Sequence, residues 1–215
     1  MEAKELKGRA NKGSKFWIQT LVNLDGGRSL TKSIQEESRE IGAIKWLSPL
    51  KKKQYQEYQI TEILSEEELD LHQWPEKGPK WDGVGIDDRR KIILIEAKGH
   101  PGETIARCAA LSENSLTLIK ESLQNTHDRL NPNHPYQQGV WMDEYYQLAN
   151  RLTFLRLLEE AKIDARLILL NFVNDPTHKA TSSIQWQKHY SDLFTKMTGT
   201  SKPPKNVVMV NYDVG

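Results

Sequence analysis

Strands announce themselves as alternating or continuous apolar runs, and helices as apolar residues three or four apart. Trp81-Asp82-Gly83-Val84-Gly85-Ile86 and Lys91 to Lys98 read as paired strands. The polar link Asp87-Asp88-Arg89-Arg90 between them is short enough for a hairpin. Ala165–Val173 is apolar almost throughout, as a strand covered on both faces would be, and Asn206–Tyr212 predicts a closing strand after Pro203-Pro204. Helical spacing runs from about Ser29 to Ile44, where Leu30, Ile34, Ile41 and Ile44 share a face. It recurs over Ser112–Leu130, Trp141–Ala161 and Ser183–Met197. Phe16–Leu24 predicts a short strand or extended arm ending in the turn Asp25-Gly26-Gly27, and Trp46–Pro49 breaks the first helix. The order helix, strands, helices, strand, helix, strand predicts one α/β domain around a mixed sheet over residues 16–215. Residues 1–15, with five Lys/Arg, two Glu and little to bury, predict a basic flexible tail.

Composition narrows the function classes. The 215 residues carry 30 Lys+Arg against 29 Asp+Glu, so nucleic-acid binding would rest on a local patch and not on a basic coat. The longest apolar runs, Ile92-Ile93-Leu94-Ile95 and Leu167-Ile168-Leu169-Leu170, are too short to span a bilayer. No apolar stretch near the start suits a secretory signal. The single cysteine, Cys108, excludes an internal disulfide framework and a cysteine-based zinc site. These features predict a cytoplasmic protein.

The chemistry concentrates at Asp82 and at Ile92-Ile93-Leu94-Ile95-Glu96-Ala97-Lys98. An acidic residue two before a lysine occurs four times, at Glu2, Glu5, Glu96 and Glu160. Only the copy at Glu96 ends an apolar strand with a carboxylate on the adjacent strand. Alternation puts Glu96, Lys98 and His100 on one face, with Ile93, Ile95 and Ala97 on the other. Two carboxylates and an ammonium meeting at a strand end suit a hard divalent cation, Mg²⁺ or Mn²⁺, with room for water and phosphate. A surface hairpin with an ordinary Glu/Lys pair is the competing reading.

This pattern resembles the PD-(D/E)xK nuclease superfamily, the fold of many restriction endonucleases and recombination nucleases. Asp82 matches its first acid, Glu96 the second and Lys98 its lysine. The surrounding Trp81-Asp82-Gly83-Val84-Gly85 and Ile95-Glu96-Ala97-Lys98-Gly99-His100 resemble uncharacterised bacterial members. One departure is visible: Trp81 stands where the motif has proline, and the nearest proline is Pro79. The resemblance implies a restriction-endonuclease-like αβββαβ core with a mixed central sheet flanked by helices, from about residue 29 to 173. It implies a metal-dependent DNA endonuclease, with DNA ahead of RNA as substrate and a 5′-phosphate product. Asp82 and Glu96 would hold Mg²⁺ (or Mn²⁺), and Lys98 would orient water or stabilise developing charge. Members that cut both strands are often dimers, so a homodimer belongs to this expectation.

Members often add an acidic residue from the preceding helix, and Glu37, on the apolar face between Ile34 and Ile41, fits that part; pairing with a structural Arg or Lys is its alternative. On Trp141–Ala161, Trp141, Tyr145, Leu148, Leu152 and Leu155 share a face. Recombination-type members place Gln and Tyr on such a helix, but Tyr146 and Gln147 are adjacent here and not a turn apart. Gln147, His100 and the run Lys51-Lys52-Lys53 are the residues nominated to meet nucleic acid. Helix-surface polarity, a polar strand exit and a solvated loop are their bland counterparts. Glu103 shares the ambiguity of His100.

Two other nuclease or nucleotide readings fail. His127, Asn131, Asn133 and His134 are too tightly spaced for a histidine-type nuclease site. Gly83-Val84-Gly85 lacks the third glycine and following helix of a dinucleotide site, and no phosphate loop is present. The remaining competitor is a catalytically silent nucleic-acid- or protein-binding module of the same fold.

Overall fold

The computed structural model describes residues 8–65, 67–75 and 78–215. The centre is a five-stranded mixed sheet in the order β1-β4-β5-β6-β7, with β1 Ile44–Ser48, β4 Gly83–Asp87, β5 Ile92–Lys98, β6 Ala165–Val173 and β7 Val207–Asp213. A two-stranded ribbon pairs β2 Tyr58–Gln59 with β3 Lys80–Trp81. In the main sheet β1, β4 and β5 are antiparallel neighbours, whereas β5, β6 and β7 run parallel. Among the described residues no helix is long and apolar enough to cross a membrane.

The β4–β5 hairpin forms as the sequence predicts. Asp87 fixes its turn: Oδ1 accepts the amides of Arg89 at 3.0 Å and Lys91 at 2.7 Å, and Oδ2 accepts that of Gly42 at 2.9 Å. The register sets Gly83 opposite Ile95, so Asp82 lies one step beyond the ladder, level with the end of β5. Strand β6 spans the predicted Ala165–Val173 and is buried along its whole length. It crosses back parallel to β5, with Glu96 beside Leu169 and Lys98 beside Asn171.

Each face of the sheet has its own apolar layer. Helices α1 Gly13–Leu24 and α2 Arg28–Glu37 cover Ile93, Ile95, Ala97, Ile168 and Leu170. On the other face, α3 Glu113–Leu130, α4 Tyr146–Glu160 and α5 Ser183–Thr198 cover Val84, Ile92, Leu94, Leu167 and Leu169. The pleat therefore sends Glu96 and Lys98 into the α3–α5 layer.

Three local expectations are corrected. Phe16–Leu24 is not a strand or arm but most of α1, whose buried Ile18, Leu21 and Val22 follow helical spacing. Its apolar stretch is short enough to fit either period, and no side chain caps its start. The next helix stops at Glu37 and not at Ile44. Asp25 opens it by accepting the amides of Arg28 at 2.8 Å and Ser29 at 2.9 Å. Ile44 and Trp46 then belong to β1, paired with Asp87 and Gly85, so Trp46 is a strand residue and not a helix breaker. Finally, Val140–Glu144 winds as a π-helical turn before α4, where one uninterrupted helix is predicted.

Of the stretch read as a flexible tail, residues 1–7 lie outside the described residues. Residues 8–12 dock on α1 and Gly13–Lys15 begin it. The Arg9 guanidinium donates to Thr20 Oγ1 at 2.8 Å and lies 4.9 Å from the Phe16 ring centroid.

Candidate active site

Strand β5 supplies two charged side chains to the α3–α5 layer, and helix α4 answers with two polar ones. Gln147 and Arg151 are one turn apart on α4, the spacing that puts two side chains on one helix face. Arg151 Nε donates to Glu96 Oε2 at 2.6 Å, and its Nη2 donates to the Lys80 carbonyl at 2.9 Å. The Lys98 ammonium donates to Glu96 Oε1 and, at 2.8 Å, to Gln147 Oε1. Glu96 is 3% exposed, so both its oxygens meet cations away from bulk water. Burial pushes its carboxyl upward, but the charges of Arg151 and Lys98 outweigh that and hold it below the ordinary range. Glu96 is therefore ionised at neutral pH.

Asp82 sits between β3 and β4, partly exposed, with Oδ2 accepting the Ala97 amide at 2.8 Å. Its surroundings desolvate it and the neighbouring Glu96 charge repels it, pushing the carboxyl up to about 7. No protein group donates to its other oxygen among the described residues. The preceding Trp81 is fully buried, with the Arg151 guanidinium 4.8 Å from its ring centroid. Thr104, Gln147, Leu148, Leu169, Tyr190 and Leu193 close a small cavity over Glu96 and Lys98. Burial first, and the Glu96 charge second, raise the Tyr190 phenol far above its ordinary value, so it stays protonated.

The predicted set Asp82, Glu96 and Lys98 is thus brought together, and Gln147 joins it through Lys98. The other nominated residues go elsewhere. Glu37 is exposed at the last position of α2, on the opposite side of the sheet from Glu96. With the helix ending there, its supposed place on the apolar face between Ile34 and Ile41 does not exist. His100 leaves the face of Glu96 and Lys98 because β5 ends at Lys98 and alternation lapses at Gly99. It opens a short 3₁₀ turn, accepts the Gly102 amide at 3.1 Å and faces Glu103. Lys51, Lys52 and Lys53 form an exposed 3₁₀ turn after β1 and make no hydrogen bond or ion pair to the buried set. Lys53 instead donates to the Tyr58 hydroxyl.

Arg151 was the important omission. An arginine four residues after Gln147 is the available signal, since it shares that residue's helix face, but nothing in sequence spacing ties α4 to β5.

Comparison with known proteins adds no relative. No family model, no curated protein and no solved structure matches the chain. The chemistry of the site therefore stands on the donors themselves. Asp82 and Glu96 are an oxygen-rich pair whose repulsion Lys98 and Arg151 relieve only in part, since the Glu96 charge still raises Asp82, and a hard divalent cation would relieve the rest. Asp82 has an oxygen to offer, and each Glu96 oxygen keeps lone-pair capacity beside its cationic donor. The donor set fits Mg²⁺ or Mn²⁺.

Proposed function

We propose that the protein is a divalent-metal-dependent phosphodiesterase with a restriction-endonuclease-like core, acting on nucleic acid and on DNA ahead of RNA. The observation that carries the reading is geometric: Asp82, just ahead of β4 and bonded to the Ala97 amide, stands at the end of β5 where Glu96 and a lysine held by Gln147 project. The α-β-β-β-α-β order of α2, β1, β4, β5, α4 and β6 supports it, as does the placing of both acids and the lysine at one end of the hairpin.

Asp82 and Glu96 would hold the ion, Mg²⁺ or Mn²⁺, which supplies Lewis acidity and a water of lowered pKa when bound. Lys98, three-donor and anchored by Glu96 and Gln147, presents its remaining proton to a water or a phosphoryl oxygen and stabilises negative charge there. Arg151 keeps Glu96 ionised and oriented, and Tyr190 and Leu193 exclude bulk water from behind.

A silent binding module is the second reading, and one observation favours it. Glu96, Lys98 and Arg151 already satisfy one another, and Asp82 satisfies a strand amide, so each has a structural use without catalysis.

Cleavage of plasmid, single-stranded DNA and RNA in Mg²⁺ or Mn²⁺, with EDTA as control, separates the two. The nuclease reading expects EDTA-sensitive cutting that falls at least about a hundredfold in Lys98→Ala, the effect of losing one transition-state stabiliser. Asp82→Asn, which keeps an oxygen for the Ala97 amide, should lose activity and remain folded by circular dichroism. Wild-type protein that is inert on every substrate and binds no Mg²⁺ by calorimetry establishes the silent module.

A further inference from the structure

A second group of ligating side chains lies past the end of β5, on the α1 side of the sheet. His100, Glu103 and His178 each offer a ligand atom, all within 4.8 Å of one another. Glu103 is fixed from behind: its Oε2 accepts the Ser14 hydroxyl at 3.0 Å and the Gly99 amide at 2.9 Å, leaving Oε1 toward His100 Nε2 at 3.7 Å. The His100 and His178 rings are 5.4 Å apart between centroids.

An independent feature points into the same place. Asp175 is 1% exposed, and its two oxygens are treated very differently. Oδ1 accepts Trp17 Nε1 at 2.9 Å and both the amide and hydroxyl of Thr177 at 2.7 Å, while the buried Oδ2 has no partner. A β-carbon on Gly99 would stand 3.2 Å from Glu103 Oε1 and 3.7 Å from that orphaned Oδ2. Both free carboxylate oxygens therefore border one gap, kept open by the missing side chain of Gly99. A buried anionic oxygen without a donor is costly unless a cation meets it.

We propose that His100, Glu103 and His178 form a binding site for a late first-row divalent metal of the Zn²⁺ class, with Asp175 Oδ2 completing its charge. Two imidazoles and a carboxylate select such an ion over Mg²⁺, which prefers an all-oxygen shell. Ligands about 2 Å from a shared ion in a tetrahedral shell sit about 3.3 Å apart, so from separations within 4.8 Å the group closes by up to about 1.5 Å. His178 is exposed on the loop after β6 and is the side chain that moves. Ligation at His100 Nε2 puts the ring proton on Nδ1, giving up the exposed contact from Gly102. Ser14, Gly99 and Trp17 then act as outer supports that tie the start of α1 to the ends of β5 and β6.

Titration of the whole chain with Zn²⁺, and with Co²⁺ for its visible absorption, tests this in an Asp82→Asn background, where the Mg²⁺ site proposed above is impaired. The expected result is one ion per chain, an intense Co²⁺ band and a rise in Tm with Zn²⁺. His100→Ala with His178→Ala should weaken Zn²⁺ binding at least about a hundredfold and abolish both signals, beyond the tenfold to hundredfold range of outer supports. Zn²⁺ affinity unchanged by that pair of substitutions overturns the proposal, as does absence of Zn²⁺ binding in Asp82→Asn protein that is folded. Neither result bears on nuclease activity with Mg²⁺, so this site and the Asp82–Glu96 reading fail separately.

Discussion

Asp82 and Arg151 carry the sharpest expectations at the scale of the single residue. Folded Asp82 titrates near 7, against 3.8 for an ordinary aspartate. Between those values the folded chain holds a proton that the unfolded chain has released. Its stabilising contribution is therefore full below the unfolded value and is lost as pH rises through 7. In EDTA, urea unfolding from about pH 4.5 to 7.5 should show stability falling by up to a few kcal/mol, and Asp82→Asn should flatten that slope. Glu96, held low by Arg151 and Lys98, has the opposite sign: its contribution is lost as pH falls through its depressed value, so the two limbs are separable. Arg151→Met strips one partner from a buried ion pair and should destabilise the fold by about 3–5 kcal/mol in the same assay. Adding Glu96→Gln to Arg151→Met should not recover that loss, because the Lys98 ammonium would then stay buried without its carboxylate partner.

Elements were legible where one period dominated. The hairpin, β6, α3 and α5 follow from apolar pattern and turn chemistry, and Asp82, Glu96 and Lys98 follow from the hairpin. Two signals misled. Phe16–Leu24 fits a strand or a helix at its length, and only packing on Ile93 and Ile95 decides for α1. Ile41 and Ile44 continue the helical spacing of Leu30 and Ile34 by coincidence, and that coincidence produced the reading of Glu37. Partners separated by 55 residues, such as Glu96 and Arg151, leave no trace in local pattern. Strand β1 supplies an element-scale test. A β-carbon on Gly85 would stand 2.4 Å from Ile44 Cγ2 and 3.3 Å from the Lys45 carbonyl, so Gly85→Ala has to push β1 away from β4. Thermal denaturation should register a loss of about 1–3 kcal/mol, the usual range for overpacking.

In the molecule as a whole, β5 is the shared wall of both apolar layers: Ile93 is fully buried under α1 and α2, and Leu94 is fully buried under the α3–α5 layer. Ile93→Ala and Leu94→Ala should each cost about 2–5 kcal/mol, and each should melt as one transition by both far-UV and tryptophan signals. A layer that unfolded alone would split those signals. The same wall divides the chemistry, with Glu96 and Lys98 on one side of its end and Glu103 on the other.

Asp82 spends one oxygen on the Ala97 amide, a rung that the main chain of β3 and β4 leaves unfilled. On the nuclease reading proposed above, fold and reaction would draw on the two different oxygens of one carboxylate. A chain of this fold with no cleavage activity would still be penalised for drifting to alanine at this position, whereas asparagine would pass almost unnoticed by the sheet. Inheritance of the carboxylate therefore records its use in catalysis only when glutamate, glutamine and asparagine are all refused there, and a deep substitution scan read once for folding and once for cleavage would tell the two histories apart.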